Sequence, residues 1–125
     1  MDARGRTDCL LIGLDCGTQS AKACVWSLDG TPVARAEAGL HVAHPREGWA
    51  EQDPGEWWAS ARQALRAAAR GIDAARLAGL GVAFQRETFT LEDRSGRPLR
   101  PGILWLDIRA HAQVRELERS VGASG

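Results

Sequence analysis

The chain has 125 residues, 44% of them apolar and 26% charged, and its 16 basic side chains are balanced by 16 acidic ones. This is the length and mixture of one globular domain able to bury a core, and the zero balance excludes nucleic-acid binding by bulk electrostatics. No apolar run approaches the ~20 residues of a membrane-spanning helix, and the polar start Met1–Asp8, expected to be disordered, has no signal core, so a cytoplasmic protein is expected.

Cys9-Leu10-Leu11-Ile12-Gly13-Leu14 is a short apolar run suited to a strand buried on both faces. It ends in a cluster of turn formers, Asp15-Cys16-Gly17-Thr18-Gln19-Ser20. A second strand is predicted from about Lys22 to Leu28, a tight primed turn at Asp29-Gly30, and a third strand over Pro32–Leu40, which together make a three-stranded antiparallel meander. His41–Gln52, with Pro45 and Gly48, lacks periodicity and reads as a loop. Asp53 can then cap a helix whose first residue is Pro54 and whose Glu56 has capping-box spacing. Trp57, Ala61, Ala64, Leu65, Ala68 and Ile72 form its buried stripe, and Gly71 supplies the stop. Leu77–Phe84 returns to strand character, with Leu80, Val82 and Phe84 alternating. Thr88–Glu92 and Ile103-Leu104-Trp105 read as further strands, and Ala112, Val114, Leu117 and Val121 mark a last amphipathic helix before a tail at 122–125. The order of elements predicts an α/β layer structure with a mixed sheet.

Chemistry has three candidate places. In the Asp15–Lys22 turn, Gly17 allows close approach of a phosphate, and the hydroxyls of Thr18 and Ser20 with the turn amides can face its oxygens. Lys22, the only Lys beside fifteen Arg, adds a point charge, and Asp15 can orient a magnesium ion through its water shell. A plain hairpin turn with locally satisfied polar groups explains the same residues. Gln85-Arg86-Glu87-Thr88 interrupts an apolar stretch with donors and acceptors suited to vicinal hydroxyls, or with a surface ion pair. Trp105-Leu106-Asp107-Ile108-Arg109 sets an indole beside an acid and a guanidinium, a platform for a carbohydrate, although Asp107 serves equally well as N-cap of the final helix. Gly79 and Gly81 lack the third glycine and helix start of a dinucleotide fingerprint. Cys9, Cys16 and Cys24 contain no C-x-x-C pair, so zinc ligation and a disulfide framework are poor readings. Trp49, Trp57 and Trp58 read as core, and no role falls to His41, His44 or His111.

From about Leu10 to Glu118 the chain resembles the N-terminal half of an FGGY-type carbohydrate kinase. The resemblance rests on Asp15-Cys16-Gly17-Thr18-Gln19-Ser20, Gly48-Trp49-Ala50-Glu51-Gln52-Asp53-Pro54, Gln85-Arg86-Glu87-Thr88 and Ile103-Leu104-Trp105-Leu106-Asp107-Ile108-Arg109, in that order. It implies a ribonuclease-H-like fold of the actin and sugar-kinase type over 9–121, with ATP, Mg2+ and a small polyol or ketose bound between two domains. By resemblance Thr18, Gln19 and Ser20 approach the ATP phosphates, and Lys22 stands where relatives often carry Arg. Arg86 and Glu87 match the pair that holds polyol hydroxyls in glycerol kinases, where pentulose kinases usually have Met-His, and Trp105 matches an apolar wall of that pocket. The chain also departs from glycerol kinases: Phe84 replaces a polar residue before the Gln, and the Trp-x-Asp-x-Arg pattern is the one more typical of sugar kinases. The family's catalytic Asp and adenine pocket fall outside these residues. The chain is therefore expected to be an incomplete kinase, inactive alone, whose partner is the C-terminal domain; a non-catalytic sugar- or nucleotide-binding module is the alternative. An exposed inter-lobe face predicts marginal stability or self-association.

Overall fold

A computed structural model describes residues 8–122. Three successive strands, β1 (Leu10–Cys16), β2 (Ser20–Ser27) and β3 (Pro32–Gly39), pair antiparallel, and β5 (Leu77–Phe84) adds on parallel to β1, giving the order β3-β2-β1-β5. The sheet is thus mixed. Alternation directs Leu10, Ile12 and Leu14 of β1, Ala21, Ala23 and Val25 of β2 and Ala38 of β3 to one face, where all are buried. Helix α1 (Pro54–Ala68) lies on that face with Ala61, Ala64 and Ala68 inward, small side chains that let helix and sheet approach closely. The Ser60 hydroxyl pins the contact by donating to the Gly39 carbonyl at 2.8 Å. Asp53 holds extended angles and accepts the Gly55 N–H at 2.8 Å, with Pro54 at the first helical position, so the N-cap is as its sequence dictates, although the Glu56 side chain makes no capping-box bond among the described residues.

Several expectations are corrected. The Asp29-Gly30 turn is not of the primed type: only Gly30 has positive φ, 87°, and its N–H closes onto the Ser27 carbonyl at 3.0 Å while Asp29 accepts from the Thr31 N–H. The supposed loop before α1 contains β4 (Glu51–Gln52), which pairs with β6 (Gly102–Ile103) in a separate two-stranded ladder. Thr88–Glu92 is no strand, being held only by single bridges such as Phe89 to Ile103. Trp105 lies beyond β6 rather than within a strand. Leu80, Val82 and Phe84 alternate as expected and share the face of Ile12 and Leu14, yet they are 53%, 57% and 72% exposed, because α1 spans β2 and β3 and does not reach β5. Trp58 is likewise exposed, at 67%, so the tryptophan cluster is not one core unit. Helix α2 (His111–Val121) forms but buries no residue.

Of the termini expected to be disordered or tail-like, 1–7 and 123–125 lie outside the described residues; Asp8 pairs with Arg76 at 2.6 Å. Among the described residues no helix is long and apolar enough to cross a membrane.

Candidate functional site

The turn between β1 and β2 is tighter than its sequence predicts. β1 continues through Cys16 and β2 begins at Ser20, so Gly17–Gln19 alone reverse the chain, and the Gly17 N–H donates to the Ser20 carbonyl at 3.0 Å. A Cβ at Gly17 would stand 3.3 Å from that carbonyl oxygen, which favours glycine here. Among the described residues no backbone carbonyl accepts the N–H of Thr18 or Gln19, so both donors remain for an anion. Ser20 itself is buried at the start of β2. Asp15 and Lys22 are cross-strand partners, and Lys22 is also partnered by Glu37 of β3. All three side chains are exposed on the sheet face opposite α1, so the lone ammonium stands between two carboxylates. No three metal-ligating side chains converge among the described residues.

Three of the four family-like motifs join the fourth, the turn, through one hydrogen-bond network. The Trp57 indole donates to Gln52 Oε1 at 2.8 Å, and Gln85 Nε2 approaches the same oxygen at 3.4 Å. Gln52 Nε2 donates to the Thr18 carbonyl at 2.7 Å, and the Thr18 hydroxyl donates to Gln85 Oε1 at 2.9 Å. The Trp105 indole donates to the Thr18 hydroxyl at 2.9 Å. The Trp57 indole can only donate, which fixes the Gln52 amide, and Gln52 Oε1 in turn draws Gln85 Nε2 toward it. Gln52 is 1% exposed, so these bonds satisfy polar groups that water cannot reach.

A second cluster locks the Trp105–Arg109 segment against the strand before α1. Asp107 accepts the Ala50 N–H at 2.7 Å and two bonds from the Arg109 guanidinium, at 2.8 and 2.6 Å. Arg109 also reaches Glu51 at 2.8 Å and stacks 3.7 Å over the Trp49 ring, while Arg100 bonds the same Glu51 oxygen at 2.7 Å. Asp107 is no N-cap: α2 begins four residues later behind Ala110, without a side-chain cap. The Arg109 hydrogen bonds, reinforced by the N–H groups of Ala50 and Arg109, hold the Asp107 carboxyl well below the usual carboxylate range in spite of its burial. They also raise the Arg109 guanidinium above its ordinary value.

Arg86 and Glu87 lie directly after Gln85, whose N–H extends the β1–β5 ladder by bonding the Cys16 carbonyl at 3.0 Å. Both side chains are exposed and have no hydrogen bond or ion pair to another described residue, so the surface ion pair does not form. Glu87 holds a left-handed φ of 53°, the one such non-glycine among the described residues. Thr88 accepts the Trp105 N–H at 3.2 Å, which ties this motif to the indole. A cavity of 260 Å³ lined by Cys16, Leu40, Trp57, Phe84, Gln85 and Thr88 opens beside it. Burial, then the Asp15 charge, push the Cys16 thiol up and keep it protonated. A broader depression of 1150 Å³ covers the opposite sheet face around Asp15, Lys22 and Glu37. Gln52, Gln85 and Glu51 were given no individual role in the sequence, while Arg109 was read as part of a sugar platform and not as the brace of Asp107 and Glu51. Partners of these residues lie as far as 33 to 67 residues away, and only the quoted motifs mark them.

The family described as "FGGY family of carbohydrate kinases, N-terminal domain" matches residues 10–124. A xylulose kinase of Klebsiella pneumoniae is 38% identical over 115 residues, which is 92% of this chain and 24% of that protein. A glycerol kinase of Delftia acidovorans is 42% identical over 114 residues, 85% of this chain and 22% of that protein. The crystal structure of xylulose kinase from Rhodospirillum rubrum superposes with a TM-score of 0.83 at 35% identity, over 92% of this chain and 24% of that one. The chain spans about a quarter of the length of the relatives it matches.

Proposed function

The chain belongs to the FGGY family of carbohydrate kinases, and on that footing we propose that it is the N-terminal portion of an ATP-dependent kinase for a small polyol or ketose. Its domain is ribonuclease-H-like over 9–121, and the general base and adenine pocket belong to a second, C-terminal domain beyond these residues. The observation that carries the reading is the convergence of the turn, the Gln85–Thr88 motif and Trp105 through the Thr18 hydroxyl. A phosphate donor and a hydroxylated acceptor must meet within bonding distance for phosphoryl transfer, and this convergence sets their two candidate sites side by side.

Magnesium-ATP supplies the γ-phosphoryl group. Thr18 and Gln19 would offer backbone donors to its phosphates, with Gly17 shaping the turn that presents them, while Lys22 would add a positive charge and Asp15 would orient the ion's water shell. Arg86 donates to, and Glu87 accepts from, hydroxyls of the substrate, while Trp105 and Asp107 form and brace the wall it lies against. Freedom of Arg86 and Glu87 from other partners suits that task.

The test is calorimetry with glycerol and xylulose, followed by an ATP-dependent phosphorylation assay of the chain alone and of the chain mixed with the remaining part of a full-length relative. Saturable binding that Arg86→Ala weakens at least tenfold is expected, with turnover only in the mixture; a charged hydrogen bond supplies roughly that factor. Turnover by the chain alone would overturn its incompleteness. Sugar binding without turnover in any mixture would favour a non-catalytic module, and no sugar binding would overturn the reading.

A further inference from the structure

The Thr18 hydroxyl has one proton and two lone pairs. Its proton goes to Gln85 Oε1 at 2.9 Å, and one lone pair takes the Trp105 indole N–H at 2.9 Å. This allotment cannot be reversed. Trp57 can only donate, so Gln52 Oε1 is an acceptor; Gln52 Nε2 then donates to the Thr18 carbonyl, and Gln85 turns its Nε2 toward Gln52 Oε1. Gln85 Oε1 is left facing Thr18 and must receive a proton. At the other end Trp105 can only donate, so the hydroxyl must accept there. A phosphate oxygen is an acceptor only, and no hydroxyl proton remains for it.

We infer that the Thr18 side chain is a positioning residue for the acceptor-sugar wall, fixing Trp105 and Gln85, and that only its backbone N–H is offered to phosphate. This rests on the proposed reading of the site. Trp105 is 58% exposed, and its hydrogen bonds to other described residues are its backbone N–H to Thr88 and its indole N–H to Thr18, so without the second the indole N–H edge of the ring is released. Sequence pattern places Thr18 with the nucleotide; the geometry joins its hydroxyl to Gln85 and Trp105, on the side proposed for the sugar.

The experiment is hydrogen exchange of indole N–H groups in the 15N-labelled chain, with Trp105 assigned from Trp105→Phe. Trp58, exposed at 67% and without a hydrogen-bond partner among the described residues, is the internal reference. The Trp105 indole is expected to exchange roughly three- to tenfold more slowly than Trp58, the factor carried by one hydrogen bond. Thr18→Val should abolish that protection and Thr18→Ser should restore it. In binding measurements on the chain mixed with the remaining part of a full-length relative, Thr18→Val should weaken glycerol or xylulose by a similar factor, leave ATP unchanged, and have no added effect in Trp105→Phe. Equal exchange of Trp105 and Trp58 in the unaltered chain overturns the inference without any variant, as does a Thr18→Val loss that falls on ATP. If the unaltered chain binds neither sugar, the proposed function fails, while the exchange comparison still decides the role of Thr18.

Discussion

Asp107 shows how one side chain holds a site together. It is 1% exposed yet stays ionised, because Arg109 and two backbone N–H groups replace the water it loses. Its folded pKa lies below the unfolded value of about 3.9. The stabilisation is therefore complete at neutral pH and lost as pH falls through and below that value. Urea titrations from pH 7 to 2 should show stability declining below about pH 5. Asp107→Asn should cost about 3–5 kcal/mol at pH 7, as expected for a buried pair deprived of one partner, with the gap narrowing in acid. At this scale the sequence was half legible. Arg109 two residues from Asp107 is visible in the string, but the Ala50 N–H that makes Asp107 a clamp instead of a helix cap is 57 residues away. The same holds for Thr18 and Trp105, 87 apart, whose contact no local pattern encodes.

Elements were legible where local rules govern them. Asp53-Pro54 opens α1, and alternation assigns the faces of β1, β2 and even β5. They were illegible where a partner strand decides: two-residue β4 and β6 exist only because they face each other, and Thr88–Glu92 has β-forming residues but meets only single bridges. That small ladder is nonetheless what sets Gln52 and the Trp105 segment in place. Gly102 in β6 is buried, and a Cβ there would come 2.5 Å from the Trp57 ring. Gly102→Ala should destabilise the chain by about 1–3 kcal/mol through overpacking. Because Trp57 is the donor to Gln52, the same change should shift the Trp57 indole resonance, which an alanine on exposed α2 would not do.

Among the described residues the four-stranded sheet has only part of a cover. α1 spans β2 and β3, β5 is an edge strand with apolar side chains bare, and α2 leaves Val114, Leu117 and Val121 48%, 62% and 66% exposed. Such surface favours association. Sedimentation velocity should show oligomers that grow with concentration, and Val82→Thr with Phe84→Ser should shift the chain toward monomer; a concentration-independent monomer would contradict this. Composition could not foretell it, since apolar content counts residues and not the helix that fails to reach them. The network around Thr18 carries one more consequence for the molecule. Its members are two indoles, two side-chain amides, a hydroxyl and the Thr18 carbonyl, none of which ionises near neutral pH. Hydrogens enter it from both tryptophans and leave at neither, so the wire conducts position and blocks charge. In the proposed kinase, a hydroxyl attacking a phosphate beside this network would surrender its proton elsewhere, and the stiffness of the site is gained by insulating it.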